Sequence, residues 1–180
     1  MTQEQRIRTW AEATPTLGPE ADNVDRMSDP LIWDPGEGER HPAGAGSEIV
    51  IKATGSATGD SFFVSETTIA PGFAGPPVHR HQRVHDMFYV LEGALQMQIG
   101  DRSLTLPAGS FACLPPGVAH TFSNPGSSPV RFLNFNTPAG WEHYMRDLGR
   151  AGSAGPLSSE QIGQIASRYD FEVVEADSSG

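Results

Sequence analysis

The sequence predicts an all-β fold, a sandwich or barrel of the jelly-roll kind, and three observations carry that expectation. The 180 residues include 20 glycines and 15 prolines scattered along the chain, a density that suits many tight turns and few long helices. Between Ser47 and Pro138, short runs of β-branched and aromatic residues alternate with turn residues. A helical pattern begins only after Gly140.

Taken in order, Thr2–Glu12 reads as a short helix ahead of Pro15, with Ile7, Trp10 and Ala11 on one side. Asp34–Gly46 (DPGEGERHPAGAG) reads as loop, so residues 1–46 form an arm that covers either the barrel or a partner subunit. Glu48–Ala53 and Ser61–Ile69 are the first strands. Asp86–Leu91 follows, then a turn at Glu92-Gly93 and the strand Ala94–Ile99. Gly100-Asp101 joins that strand to Arg102–Leu106 as a hairpin. Ser110–Leu114, His120–Ser123 and Val130–Asn136 complete a barrel over 47–138. In the extension over 139–180, Glu142–Leu148 forms a helix. Ser158 or Ser159 caps a second helix through Arg168 that packs by Ile162, Ile165, Ala166 and Tyr169. Val174 to Gly180 are small and acidic and read as frayed.

Composition narrows the function. One domain with a core and terminal extensions fits this length and 37% hydrophobic content. A formal charge of −10 without a dense basic run argues against binding nucleic acid or anionic lipid. Cys113 is the single cysteine, which excludes an intrachain disulfide and a cysteine zinc site; it reads as a small buried residue on a strand. The chain has neither a signal-peptide pattern nor an 18-residue apolar run, and a soluble cytoplasmic protein is expected.

The chemistry lies in the histidines. Of six, four (His79, His81, His85 and His120) fall between positions 79 and 120, while His41 and His143 read as structural. On a strand, residues i and i+2 share a face, so His79 and His81 can share one metal ion. His120 opens a later strand that can lie opposite them. Imidazole suits Zn, Cu, Fe and Ni, and an added carboxylate widens the choice to Mn and Co.

Two segments give that pair its context: PGFAGPPVHRHQRVHDMFYVLEG from Pro71 to Gly93, and GSFACLPPGVAHTFSN from Gly109 to Asn124. They resemble the two motifs of the cupin superfamily, over about residues 60–138. The first has two histidines, an acidic residue, six residues and a Gly; the second matches at Gly109, Pro115, Gly117, His120 and Asn124. Gly93 and Gly117 suit turn conformations that other residues resist, and Pro115-Pro116 stiffens the approach to His120. The nearest resemblance is to small single-domain bacterial cupins of the quercetin-dioxygenase-like kind, which continue past the barrel with a segment like Thr137–Gly149.

The resemblance implies a double-stranded β-helix with an N-terminal arm and C-terminal helices. It implies one divalent transition metal (Fe, Mn, Ni, Co, Cu or Zn) on His79, His81, His120 and Asp86, and a homodimer. Asp86 stands where the family usually carries Glu, and it is one methylene shorter. Three completions stay open: Asp86 ligates, His85 takes its place, or water does so with Asp86 orienting an imidazole or that water. A barrel that keeps the motif without metal is a further alternative. The activity implied is a dioxygenase acting on a small aromatic or enediol substrate, with Asp86 as the catalytic base. A non-oxidative isomerase, lyase or cyclase and a non-catalytic binding barrel are the alternatives. Phe63, Met87, Phe88, Val90, Met97, Phe111, Phe122 and Phe135 are candidates for an apolar wall, most of them core.

Overall fold

The computed structural model describes residues 30–43, 47–152 and 159–174. The expected Thr2–Glu12 helix with Ile7, Trp10 and Ala11, the cap at Ser158, the side chain of Ile162 and the tail beyond Val174 lie outside them.

Two antiparallel sheets face each other. The six-stranded sheet runs β1 (Glu39–Pro42), β2 (Glu48–Ala53), β3 (Phe63–Ile69), β10 (Val130–Thr137), β5 (His85–Glu92) and β8 (Phe111–Leu114). The five-stranded sheet runs β11 (Glu172–Val173), β4 (His79–Arg80), β9 (His120–Ser123), β6 (Ala94–Ile99) and β7 (Arg102–Pro107). Among the described residues the helices are α1 (Gly55–Thr58), α2 (Trp141–Gly152) and α3 (Ser159–Ala166).

Period-two alternation builds the interior. In β10, alternate residues Val130, Phe132, Asn134 and Asn136 are buried; in β3 they are Phe63, Ser65, Thr67 and Ile69. Val130 and Phe132 join Ile69, Phe88, Val90, Leu95, Met97 and Leu114 in one apolar cluster. Phe88 packs on Phe122 and Phe132 with ring centroids 5.5 and 5.6 Å apart. Each such side chain contributes about 2–3 kcal/mol on burial. Further along β10 the inward residues change to Asn134 and Asn136. The barrel therefore has an apolar end and a polar end, and the polar end holds the histidines.

Several expectations are corrected. Glu39–Pro42, read as loop, is a strand paired with β2 from Glu39↔Ile51 to Pro42↔Glu48. Its residues carry no apolar alternation, and it is held instead by the edge of β2 and by charged ties such as Arg40–Glu48. Cys113 is exposed, not buried, because β8 is an edge strand that turns Ala112 and Leu114 inward. Val174 is tied rather than frayed, its N–H donating to the Val78 carbonyl at 2.9 Å. α2 runs from Trp141 to Gly152, beyond the expected Glu142–Leu148. Ile165 and Ala166 are buried as expected, in a second cluster with Tyr144 and Phe171, against which Tyr169 packs.

Candidate metal centre

His79, His81, Asp86 and His120 come together at the polar end of the barrel. One ligand atom from each lies within 4.8 Å of all the others, so the group could hold a metal ion. Their exposures are 3%, 2%, 5% and 1%. Strand pairing explains the convergence. β4 and β9 pair His79 directly with His120, and His81 follows two residues on. Asp86 enters from the opposite sheet, where β5 sets it beside Asn136 of β10 and Leu114 of β8. The Gly117 N–H, at a positive φ of 85°, donates to the His81 carbonyl at 2.7 Å and fixes the Pro115–Gly117 loop against the first motif.

Each imidazole is oriented through Nδ1. His79 Nδ1 bonds the Pro77 carbonyl at 2.9 Å and His120 Nδ1 bonds the Val118 carbonyl at 2.9 Å. His81 Nδ1 bonds the Asp170 carbonyl. A carbonyl only accepts, so each Nδ1 carries a proton, and the Nε2 atoms of His81 and His120 are left to face Asp86 Oδ2, at 3.7 and 3.2 Å. Among the described residues His81 Nε2 has no hydrogen-bond partner, and His120 Nε2 faces Asp86 Oδ2 at 3.2 Å. A proton or a cation between those two atoms satisfies both. This donor set, nitrogen lone pairs around one carboxylate oxygen, fits a divalent transition metal.

The electrostatics agree. Burial alone would raise the Asp86 carboxyl, but the imidazoles of His120 and His81 outweigh it and hold the group well below the usual carboxylate range. Burial pushes His79 down to about 3, helped by the neighbouring His120. Burial also opposes charge on His81, yet Asp86 and Asp170 raise it.

His85, the alternative to Asp86, does not join the group. It is exposed and lies on the outer face of β5, one residue out of phase with Asp86. Most of the candidate wall residues are core, as expected, and three are not. Phe63, Phe88, Val90 and Met97 are buried core, whereas alternation turns Met87, Phe111 and Phe135 to the outer face. Phe122 is half-buried against the core.

Rings that sequence reading passed over stand beside the histidines instead. Phe171 stacks on His79 with centroids 4.0 Å apart and planes within 13°, and Trp141 meets His81 edge-on at 5.0 Å. Asn134 and Asn136 were also missed. Both amides donate to Asp86 Oδ1, at 2.6 and 2.7 Å. Their signal was present: asparagine is disfavoured in strand interiors, and two at i, i+2 mark a polar inward face. Phe171 and Asp170 carried no local signal.

Comparison with known proteins bears on the family. Residues 65–136 match the family model described as the cupin domain. Quercetin 2,3-dioxygenase of Bacillus subtilis (strain 168) is 28% identical over 138 residues, covering 74% of this chain and 40% of that protein. The chain thus spans 40% of the length of this curated relative. An RmlC-like cupin from Shewanella frigidimarina NCIMB 400 superposes with a TM-score of 0.54 at 18% identity, over 64% of this chain and 96% of that one. KdgF from Halomonas sp. superposes with a TM-score of 0.51 at 15% identity, over 58% of this chain and 92% of that one. These two likenesses concern the fold. The motifs, the two-sheet barrel and the matched family model agree that residues 65–136 form a cupin domain.

Proposed function

We propose that this chain is a metal-dependent dioxygenase acting on a small aromatic or enediol-type organic substrate, its metal held by His79, His81, His120 and Asp86. One observation carries the metal reading: three buried imidazoles and a buried carboxylate bring ligand atoms within 4.8 Å of one another, and His81 Nε2 has no hydrogen-bond partner among the described residues. When bound, a divalent transition metal supplies Lewis acidity and coordination positions for substrate oxygens. The oxidative choice draws support from the likeness to quercetin 2,3-dioxygenase.

The chain's own residues do the rest. Asn134 and Asn136 occupy Asp86 Oδ1, so only Oδ2 turns toward the imidazoles. Donors on Oδ1 and imidazoles near Oδ2 keep Asp86 anionic, which favours it as a ligand over a proton acceptor. If Asp86 also takes the substrate's hydroxyl proton, Oδ2 is the atom that receives it. Phe171 and Trp141 keep water from the outer side of His79 and His81.

The test is elemental mass spectrometry on untagged protein, followed by oxygen uptake with flavonol and enediol substrates. Near-stoichiometric metal that is lost in His79→Ala, with metal-dependent O₂ consumption, supports the proposal. Metal with turnover that ignores O₂ moves the reading to an isomerase, lyase or cyclase. Protein that stays metal-free after supplementation sinks the enzyme reading and leaves a small-molecule-binding barrel.

A further inference from the structure

Two of the three histidines find their orienting carbonyl two residues upstream, at Pro77 for His79 and Val118 for His120. His81 does not. Its Nδ1 partner is the carbonyl of Asp170, 89 residues later in the chain. We infer that the segment Asp170–Val174 is part of the metal centre, and that Asp170 and Phe171 are positioning residues setting the geometry and tautomer of His81 and the packing of His79. The inference rests on the metal reading above and adds to it a segment outside the matched domain of residues 65–136.

Asp170 grips the site twice. Its carbonyl takes His81 Nδ1, while its carboxylate accepts the backbone N–H groups of Gln82 at 2.7 Å, Arg83 at 2.8 Å and Val84 at 3.0 Å. Those three residues form the link between His81 and the strand that carries Asp86. One residue therefore fixes an imidazole and the connection from it to the carboxylate.

The following residues hold Asp170 in place. β11 pairs with β4, setting Glu172 beside Arg80 and Val173 beside His79. Glu172 accepts from Arg80 Nε at 3.1 Å and from Gln82 Nε2 at 2.5 Å. Phe171 lies flat on His79 and is anchored on its other side by the cluster with Tyr144, Ile165 and Ala166. The helices after the barrel thus deliver a short strap to the histidines. With the strap undocked, His81 loses the acceptor that selects its Nδ1–H form, and its ring gains freedom to turn.

Two readouts test this on the full chain. In metal-free protein at pH 8, ¹⁵N NMR of the histidines reports the tautomer of His81. The Nδ1–H form is expected in the wild type and a mixture of tautomers in Asp170→Ala, which keeps the carbonyl but loses the carboxylate that docks it against Gln82–Val84. Separately, Co(II) affinity is measured by chelator competition, with the Co(II) absorption bands reporting the ligand field. Asp170→Ala is expected to weaken Co(II) binding by about 10–100-fold and to shift the bands. Asp170→Asn, which retains one acceptor oxygen, is expected to fall between it and wild type, and it carries the test if Asp170→Ala does not fold. Phe171→Ala is expected to move affinity in the same direction by less.

Wild-type affinity, bands and tautomer in folded Asp170 variants would overturn the inference, as would a wild-type His81 protonated on Nε2 instead of Nδ1. A wild type that shows the Nδ1–H form and yet binds no Co(II) overturns the metal role of the strap together with the metal reading itself. Loss of Co(II) binding confined to the Asp170 and Phe171 variants tells the two apart.

Discussion

Asn136 donates its side-chain amide to Asp86 Oδ1 at 2.7 Å across the β10–β5 pair, and the Oδ1 of Asn136 is itself buried without a partner among the described residues. The amide holds a carboxylate that is shorter than the glutamate usual in the family. Asn136→Leu removes that donor and leaves Asn134 alone on Asp86 Oδ1. Metal affinity is expected to fall about 10-fold, and stability by ~1–3 kcal/mol, the range for a lost hydrogen bond to a charged group. Chelator competition and urea denaturation measure the two quantities; unchanged values in both would show that Asn134 alone suffices.

Metal loading should stabilise the fold. The Nε2 of His120 and Oδ2 of Asp86 lie 3.2 Å apart, and a cation can take both as ligands. A cation that binds only the folded chain adds about 2.7 kcal/mol when present at 100 times its dissociation constant. Thermal melts after chelation and after Zn(II) addition should differ by several degrees in the wild type and coincide in His120→Ala.

Glu142 is 3% exposed and accepts the N–H of Gly55 at 2.7 Å and that of Gly140 at 3.0 Å. It joins the start of α2 to the α1 region of the barrel. Glu142→Ala leaves two amides without their acceptor and should cost about 2–4 kcal/mol. Glu142→Gln keeps one acceptor and should cost less. Chemical denaturation of both variants checks the order.

Glu39 should give a small acid-sensitive contribution to stability. Arg146 donates to its two carboxylate oxygens at 2.8 and 2.6 Å and pulls the group down to about 2. The folded value lies below the unfolded one, so the tie stabilises fully above the unfolded value of 4.5 and is lost as pH falls toward 2. Glu39 is 42% exposed, and solvent screening limits the effect to about 0.5 kcal/mol. Wild type and Glu39→Gln should differ by that amount at neutral pH and converge in strong acid.

Gly75 has φ +85°, and a Cβ there would sit 1.8 Å from the Phe122 carbonyl oxygen. Gly75→Ala should cost ~3 kcal/mol or more, through backbone displacement beside β9. A calorimetric melt reads the loss, and a wild-type melting temperature would show that the loop moves without strain.

Much of this site was legible because its determinants are local. Runs of β-branched and aromatic residues between turn residues marked β3, β5 and β10, and the turn at Glu92-Gly93 is set by short-range backbone preferences. The spacing of His79 and His81 put both on one strand parity, and the second motif brought His120 opposite. The parity of Asp86 against His85 was not legible, since the link from His81 breaks the alternation. Pairing of β5 with β10 decides it, turning Asp86 inward and His85 outward.

Sequence by itself therefore determined the all-β barrel, its two motifs and the histidines that gather at one end, because sterics and side-chain periodicity act between near neighbours. Only the tertiary structure decided that Asp86 and not His85 faces them, which amides hold it and which residue of the C-terminal segment orients His81. Those contacts join residues 48, 50 and 89 positions apart. Their geometry follows from how sheets and helices pack, which no short stretch of chain encodes.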